Sequence, residues 1–567
     1  MKYFSLALLV VLVEGQFPCF KRSKHRTEVR YTSFSCPTIL PVTLDWRFYT
    51  DKKFNLASAG RNQHLPHYCG GCWAFSATSA LSDRINIMRV ARAEPVVETP
   101  LAVQVVLNCD GFDSGCHGGD PLTAYKFIHE SKYGGIPDET CQPFIAEGRD
   151  TVQKCDLQDV CKNCPFGGPC QPQSKFNVWG VKEYGLVNGT YNMMCELQRG
   201  PITCSVAVTD EFINYSGFGI FEDLTNSTQE DHAISVVGYG TDEVTGVDYW
   251  VGRNSWGEYW GHHGWFRIVR GKNNLGIEQN CQWASPSKQG RPKKYEDPIA
   301  SNTPTAPVPG ASCSIRSPGS HIEYYGNAIR SLFLGHHILV HSHHLDVPPV
   351  FDWRNVEGVS YVTMDKNQHL PHYCGSCWAQ AVTSALSDRI KISLLKGRWP
   401  PVNLSPQVML NCHKGGGCQG GDPLEAYRSV HSHRLPDQTC SPYRAELSDT
   451  CLECSTCDMG TPPDDIVPGT CRPVTSHRLW YVTDYGTVAG AEAMKREIFN
   501  RGPITCGIWA SEGFVDYEGG VFSESEGYGG KVNHEVSVVG WGVEGDVEFW
   551  VVGTAGALTG ARRAGSE

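Results

Sequence analysis

The sequence lacks an excess of positive charge and, beyond its first residues, a long apolar segment. Its 49 Lys and Arg residues are outnumbered by 60 Asp and Glu residues, which gives a net charge of -11. A chain of this sign is poorly suited to bind nucleic acid or an anionic membrane surface. Because no later apolar run is long enough to cross a bilayer, we also expect no membrane span.

The first residues are typical of a secretory signal. Lys2 supplies a short positive region, and residues 3–13 form an apolar stretch too short to span a membrane. We therefore predict a signal peptide at 1–16, with the small residue Gly15 near its cleavage site. The 25 cysteines fit an oxidising compartment, so the expected location is a lysosome or the extracellular space. Glycosylation sequons begin at Asn188, Asn214, Asn226 and Asn403.

Most of the chain is present twice. A length of 567 residues exceeds what one hydrophobic core can use, and motifs of the first half recur in the same order in the second. We predict a tandem duplication. The motifs of the first copy begin at Leu44, Asn62, Cys116, Arg199 and Asp231, and their counterparts begin at Phe351, Asn367, Cys418, Arg501 and Asn533.

A polar, proline-rich stretch at 285–310 is typical of a linker. It separates a first domain at 42–284 from a second domain at 349–567. Since proline stiffens a linker, this composition favours copies held apart rather than packed together.

Each copy has a helical half followed by a β half. Residues 73–85 contain neither proline nor glycine, and their apolar positions fall roughly on one helical face. Residues 232–239, 247–251 and 265–269 are rich in β-branched and aromatic types. We predict an α+β fold with a helical lobe and a β-barrel-like lobe flanking a cleft.

The residues expected to carry chemistry are a cysteine, a histidine and two amides. Cys72 begins the predicted helix, whose positive end favours a thiolate. His232 begins a predicted strand and could take the thiol proton, while the Asn254 oxygen could fix its tautomer. Gln63 can donate its amide N–H, with the Cys72 main chain, to an oxyanion. The second copy offers Gln368, Cys377 and His534.

These motifs resemble the papain-like cysteine proteases. Gly70-Gly71-Cys72-Trp73 is one change from the cathepsin signature, and Gly375-Ser376-Cys377-Trp378 fits it. The resemblance implies peptide or protein substrates and no metal or organic cofactor. It also implies that an extended peptide binds along exposed backbone at Gly118, Gly119, Gly420 and Gly421.

A short insert, His64-Leu65-Pro66-His67-Tyr68, follows Gln63 and resembles the cathepsin X (cathepsin Z) branch of that family. That branch consists of lysosomal carboxypeptidases, so substrates with a free C-terminus are expected. His64 and His369 would hold the substrate carboxylate, since a histidine in acid is a cation.

The same resemblance implies pro-segments whose cysteine caps the active thiol. They are predicted at 17–41 and 311–348, with Cys19 and Cys313 as capping residues and Cys36 as a competitor of Cys19. The implied disulfides are Cys69–Cys116, Cys109–Cys155, Cys141–Cys161, Cys164–Cys170, Cys204–Cys281, Cys374–Cys418, Cys412–Cys451, Cys440–Cys454 and Cys457–Cys471.

Other interpretations stay open at this point. The Cys-x-x-Cys pairs that begin at Cys69, Cys161 and Cys454 could be half zinc sites, although disulfides are favoured in a secreted chain. The histidine-rich run at 336–344 could bind metal or remain solvated. A displaced insert would make the enzyme an endopeptidase. The chain could also be a secreted binding or inhibitory protein, with the second copy as an inactive decoy.

The second copy departs from the pattern near its end. After Val552 the sequence lacks the Arg-Asn-Ser-Trp-Gly motif found at Arg253, so the second domain is expected to be truncated and its activity impaired. Cys506 also lacks the partner that Cys281 gives Cys204. Codon degeneracy permits a shifted reading frame from Gly553 that restores Arg-Asn-Ser-Trp-Gly. Transcript sequencing across Val552 tests this hypothesis, and an undisturbed frame would eliminate it.

Overall fold

The computed structural model describes residues 19–24, 35–49, 55–148, 155–287, 290, 347–397, 399–447, 451–459, 472–515, 517, 519–523 and 532–554, without the side chains of Cys454 and Thr554. The predicted signal peptide, Cys313, Cys471, the histidine-rich run and most of the linker lie outside these ranges.

The helical lobe of the first domain is built around α1. This helix runs through a segment free of helix-breaking residues and is buried on nearly every side, because both lobes pack against it. Its helices are α1 (Cys72–Ala91), α2 (Val103–Cys109), α3 (Pro121–Glu130) and α4 (Leu157–Val160), followed in the β lobe by α5 (Thr190–Leu197) and α6 (Asp210–Ile213).

The β lobe is one antiparallel sheet of seven strands in the order β4-β9-β5-β6-β7-β8, with β1 paired to β6. Strand β9 extends to Pro286, which lies within the predicted linker. The strands are β1 (Leu44–Asp45), β4 (Val181–Val187), β5 (Ile202–Val206), β6 (His232–Thr241), β7 (Asp248–Arg253), β8 (Trp265–Val269) and β9 (Cys281–Pro286), and a separate pair is formed by β2 (Lys162–Asn163) and β3 (Gln171–Pro172).

A buried ion pair joins the two lobes. The Arg253 guanidinium at the end of β7 lies 2.8 Å from the Asp83 carboxylate on α1, and the two side chains are 2% and 0% exposed. Ser58 also donates to Asp83, at 2.7 Å. Burial raises the pKa of Asp83, while Arg253 and Ser58 oppose this effect. The pair therefore fixes β7, and the residues that follow it, against the helix that carries Cys72.

We expect Arg253→Ala to lower the free energy of unfolding of the first domain by about 3–5 kcal/mol, because it leaves a buried carboxylate without its cation. Lys272 is a suitable control, since its ion pair with Glu222 is 58% and 41% exposed. Lys272→Ala should cost no more than about 1 kcal/mol. Urea unfolding measures both, and equal midpoint shifts would contradict the assignment.

The second domain repeats the helical lobe but has a smaller sheet in the part of the chain that is described. This sheet has four strands, with β10-β14-β13 in order and β15 paired to β14. The elements are β10 (Phe351–Asp352), α7 (Cys377–Ile390), a π-helical turn (Lys391–Leu395), α8 (Pro406–Cys412), β11 (Gly416–Gly417), β12 (Gly420–Gly421), α9 (Pro423–Ser432), α10 (Glu453–Thr456), α11 (Ala491–Arg501), β13 (Ile504–Ile508), α12 (Glu512–Val515), β14 (His534–Glu544) and β15 (Val547–Thr554).

The described segment of the second domain that corresponds to β4 differs from β4. Among the described residues of the first domain, β4 pairs with β9 alone, and residues 482–488 of the second domain occupy the place of β4 in sequence order. These residues form no strand and are mostly exposed. Cys506, the counterpart of Cys204, is a free cysteine.

The two domains pack against each other, so the expectation of separated copies is wrong. Trp399 of the second domain lies 4.7 Å from the Arg47 guanidinium and 5.3 Å from the His262 ring of the first. A cavity of about 130 Å³ between the domains is lined by residues of both. Linker composition constrains only the linker, whereas complementary surfaces decide whether the domains it joins make contact.

Disulfides join Cys69–Cys116, Cys109–Cys155, Cys141–Cys161, Cys164–Cys170, Cys204–Cys281, Cys374–Cys418 and Cys412–Cys451. The structure also joins Cys36 to Cys195, a disulfide that was not predicted. Once the other cysteines of the first domain are assigned, these two remain, so a complete count would have found them. The cysteines of Cys69-x-x-Cys72 and Cys161-x-x-Cys164 are all disulfide-bonded.

The pairing predicted for Cys440 is wrong, because the structure joins Cys440 to Cys457 rather than to Cys454. The prediction aligned the Cys-x-x-Cys pairs of the two copies. Spacing from the preceding half-cystine decides the partner instead, since Cys457 follows Cys451 as Cys161 follows Cys155. The predicted pair Cys457–Cys471 is therefore wrong as well.

The sequons differ in exposure. Asn188, Asn214 and Asn226 are exposed. Asn403 is only 3% exposed and lies 3.4 Å from Glu98 of the other domain. Its prediction as a glycosylation site is wrong for this structure, because the packed domains leave no room for a glycan. Within the described ranges, no helix is both long and apolar enough to cross a membrane.

Candidate active site

Cys72 is the first residue of α1. The N–H groups at a helix start have no intrahelical partners and place partial positive charge around the sulfur, which favours a thiolate. In this structure Cys72 is fully buried and disulfide-bonded to Cys19. The structure therefore shows a capped form, in which the sulfur at the helix start is not a free thiol.

His232 begins β6 and lies beside these sulfurs. Its Nδ1 atom is 3.1 Å from Cys19 Sγ, and the Cys72 sulfur lies within 4.8 Å of an imidazole nitrogen. Its Nε2 atom is 2.8 Å from Asn254 Oδ1. Because the Ser255 N–H donates to the same oxygen at 2.8 Å, Nε2 carries the imidazole proton. Nδ1 then presents its lone pair to sulfur, as proton transfer from a thiol requires.

The imidazole of His232 is neutral in this capped form. Burial lowers its pKa to about 4, and the bond to Asn254 opposes that effect. The Trp256 ring covers one side, with centroids 4.8 Å apart. A thiolate at Cys72 would favour the charged imidazole, so release of the disulfide is expected to change the protonation of the site.

Gln63 is fixed in the cleft by both lobes. Its Nε2 donates to the Cys69 carbonyl at 3.0 Å, and its Oε1 accepts from Ser255 Oγ at 2.6 Å. The second hydrogen of Nε2 remains for another acceptor. Ser255 therefore orients both Asn254 and Gln63. The role of Ser255 was not predicted, although this residue lies within the Arg-Asn-Ser-Trp-Gly motif that begins at Arg253.

His64 lies in the inserted loop and also faces Trp256. Its ring stacks on Tyr68 with centroids 5.1 Å apart and lies 6.1 Å from Trp256. Burial, and then the charge of His232, lowers the pKa of His64 to about 3. The expectation that this ring is a cation in acid therefore fails for the free loop. A carboxylate in contact with the ring would oppose both effects and raise its pKa.

The chain's own residues 19–21 occupy the edge expected to bind peptide. Phe20 forms a parallel bridge with Gly119, and the Lys21 N–H donates to the Gly119 carbonyl at 2.9 Å. A Cβ at position 119 would lie 2.6 Å from the Trp73 ring, so only glycine fits there. Gly118 precedes it with φ 104°.

The site of the second domain is incomplete. Cys377 begins α7 and is disulfide-bonded, but its partner lies outside the described residues. His534 begins β14, and Ser537 pairs with Gly553 in the way that Ser235 pairs with Arg253. The next residue, Thr554, therefore takes the place of Asn254. Gly420 and Gly421 pair with Gly417 and Gly416.

The amide of Gln368 is also arranged differently. Its Nε2 lies 3.1 Å from the His369 ring, and its Oε1 is buried without a partner among the described residues. The sequence has Ala555 in the place of Ser255, which removes the hydroxyl that holds Gln63. Burial lowers the pKa of His369 and of His534 to about 4.

Comparison with known proteins agrees with this geometry. A family model described as "Papain family cysteine protease" matches residues 40–285 and 347–554. The chain belongs to the papain family of cysteine proteases. This confirms the predicted family and the fold class, which consists of two tandem papain-like α+β domains.

Cathepsins are among the relatives of this papain-family chain. It is 45% identical over 255 residues to "Cathepsin Z" of Onchocerca volvulus, which covers 44% of this chain and 78% of that protein. It is 35% identical over 246 residues to "Cathepsin B-like CP2" of Giardia intestinalis, which covers 41% of this chain and 75% of that protein. A solved bromelain protease from Ananas comosus with the E64 inhibitor is 28% identical and covers 43% of this chain and 99% of its own, with a TM-score of 0.34.

Proposed function

We propose that the first domain is a cysteine carboxypeptidase that removes C-terminal residues from peptides. The observation that carries the proposal is the position of His64. The rings of His64 and His232 both contact Trp256, with centroids 6.1 and 4.8 Å from it, and the charge of His232 acts on His64. A carboxylate held at His64 would therefore leave its last peptide bond near the imidazole that serves Cys72. The similarity to a cathepsin Z supports the same assignment.

The proposed reaction begins once Cys72 is free. His232 Nδ1 takes the thiol proton, and the sulfur attacks the carbonyl carbon of the last peptide bond. The oxyanion accepts from Gln63 Nε2 and the Cys72 N–H. His232 then protonates the leaving amine, and water activated by the same imidazole hydrolyses the thioester to restore the thiol. Asn254 holds the ring in the tautomer that both proton transfers need.

Substrate binding at His64 is coupled to proton uptake. The ring is neutral over most of the acid range, because burial lowers its pKa to about 3. The bound carboxylate raises that pKa, so the ion pair forms in acid and is lost as pH rises through the pKa of the complex. Exopeptidase activity should therefore be confined to acid, in keeping with a lysosomal or extracellular acidic location.

We expect His64→Ala to lower kcat/KM about 10-fold or more on a peptide with a free C-terminus, because it removes a charge-assisted contact. The same peptide with an amidated C-terminus should be affected little. His67 is exposed in the same loop, so His67→Ala serves as a matched control. Hydrolysis of the amidated peptide by the unmodified protein at an equal rate would instead indicate an endopeptidase.

We propose that the second domain, as its sequence stands, is inactive. Asp388 is the counterpart of Asp83 on the equivalent helix, and Gly553 stands in the place of Arg253. Asp388 accepts from Thr363, as Asp83 does from Ser58. Burial raises the pKa of Asp388 to about 6, and the charges of Lys391 and Lys366 oppose this effect. A domain that keeps the buried acid without its arginine supports the shifted-frame hypothesis, because the alternative frame places arginine at 553 and asparagine at 554.

A further inference from the structure

The second domain contacts the loop that carries His64. Asn62 precedes Gln63 and His64 and is 8% exposed. Its Nδ2 donates to the Thr439 carbonyl of the second domain at 2.9 Å. Its Oδ1 accepts from the His64 N–H at 3.0 Å. One side-chain amide therefore connects the main chain of the second domain with the main chain at His64.

Thr439 also contacts the segment of the first domain that follows Trp256. Its Oγ1 accepts from the Glu258 N–H at 2.9 Å, two residues after the Trp256 that His64 faces. The ring of Tyr259, which follows Glu258, packs against Cys440 and Cys457. Both segments that surround His64 are therefore anchored to the same short stretch of the second domain.

The contact is reciprocal. Asn367, the counterpart of Asn62, donates to the Thr140 carbonyl of the first domain at 2.8 Å and accepts from the His369 N–H at 2.9 Å. Thr140 is the counterpart of Thr439, and each threonine donates to an aspartate two residues before it. The domains thus face each other with approximate two-fold symmetry, and each holds the inserted loop of the other.

We propose that the second domain positions the His64 loop of the first domain. Through the contacts between Asn62 and Thr439, the second domain sets the first domain's preference for a C-terminal carboxylate. This inference rests on the proposed function of His64. The two bonds of the Asn62 amide fix the loop backbone, so they determine how far the His64 ring stands from Cys72. The second domain needs no catalysis of its own for this role.

The test uses the full, reduced chain and one peptide with either a free or an amidated C-terminus. Asn62→Ala should raise KM for the free acid about 5-fold, as expected for the loss of a buried hydrogen bond, with kcat unchanged. Cleavage of the amidated peptide should not change. Thr439→Val, in the second domain, should change KM in the same direction. Asn367→Ala and Thr140→Val are the matched controls and should leave both rates as they were.

Each outcome has a defined meaning. If the unmodified protein does not prefer the free acid, the proposed function fails, and this inference fails with it. If that preference exists but Asn62→Ala lowers cleavage of both peptides equally, Asn62 is merely structural and the inference alone is overturned. Thr439→Val keeps the carbonyl that Asn62 binds and removes only the Oγ1 bond from the Glu258 N–H. If Asn62→Ala acts as expected while Thr439→Val leaves KM unchanged, the Thr439 side chain has no part in setting the preference, which overturns the inference as stated.

Discussion

Replacing Cys72 with alanine should reduce peptidase activity of the full chain by on the order of 10^4-fold or more, since it removes the nucleophile that forms the acyl-enzyme in the first domain. Cys377→Ala should leave activity nearly unchanged, because Thr554 stands in the place of Asn254 and does not offer the amide oxygen that orients His232. Rates on one fluorogenic peptide at acid pH, after mild reduction, measure both variants.

The two cysteine variants are matched, since each residue begins the equivalent helix of its domain. Labelling by a thiol-directed epoxide, followed by mapping of the modified residue, provides a readout independent of turnover. Substantial activity in Cys72→Ala, lost again in the double variant, would show that the second domain is a working protease.

Reduction should convert the protein from an inert to an active form. Cys72 is bonded to Cys19, and a disulfide sulfur cannot act as the nucleophile. Residues 19–21 also occupy the Gly119 edge. We therefore expect no epoxide labelling of Cys72 before mild reduction and labelling afterwards. Cys19→Ser should react without reductant, although its peptide still has to leave the cleft.

Cys36→Ser is the control for this experiment, because Cys36 pairs with Cys195 away from the nucleophile. That variant should still need reduction. Labelling of Cys72 in the unreduced, unmodified protein would show that the Cys19 cap is absent in solution. If Cys72 is labelled to the same extent in Cys19→Ser and Cys36→Ser without reductant, the effect of the reductant does not come from release of the Cys19 cap.

The features that depend on neighbouring residues could be predicted from the sequence. Cys72 at a helix start and a β-rich segment from His232 depend on nearby residue types, and the repeated motifs fixed the duplication. The roles of Ser255 and Asn62 could not be predicted, because each depends on atoms brought together from distant parts of the chain. The predicted partner of Cys440 was wrong because it was taken from the Cys-x-x-Cys motif. The number of residues from the preceding half-cystine decides which cysteine comes close enough to bond.

The neutral state of His64 in acid also required the structure. Residue type alone suggests a cation, whereas the pKa of about 3 follows from burial and from His232 nearby. The contact between the two domains could not be predicted from composition either. Proline content describes the linker and carries no information on how well the distant faces around Trp399 and Arg47 fit.

The reciprocal contacts between Asn62 and Thr439 and between Asn367 and Thr140 have an evolutionary consequence. A duplicated half that has lost its chemistry would ordinarily accumulate changes freely. Here, substitutions should be tolerated around His534. Substitutions around Thr439 should be selected against, because they alter the contacts with the first domain. An inactive second domain is thus expected to persist as a scaffold, under selection for its contact surface.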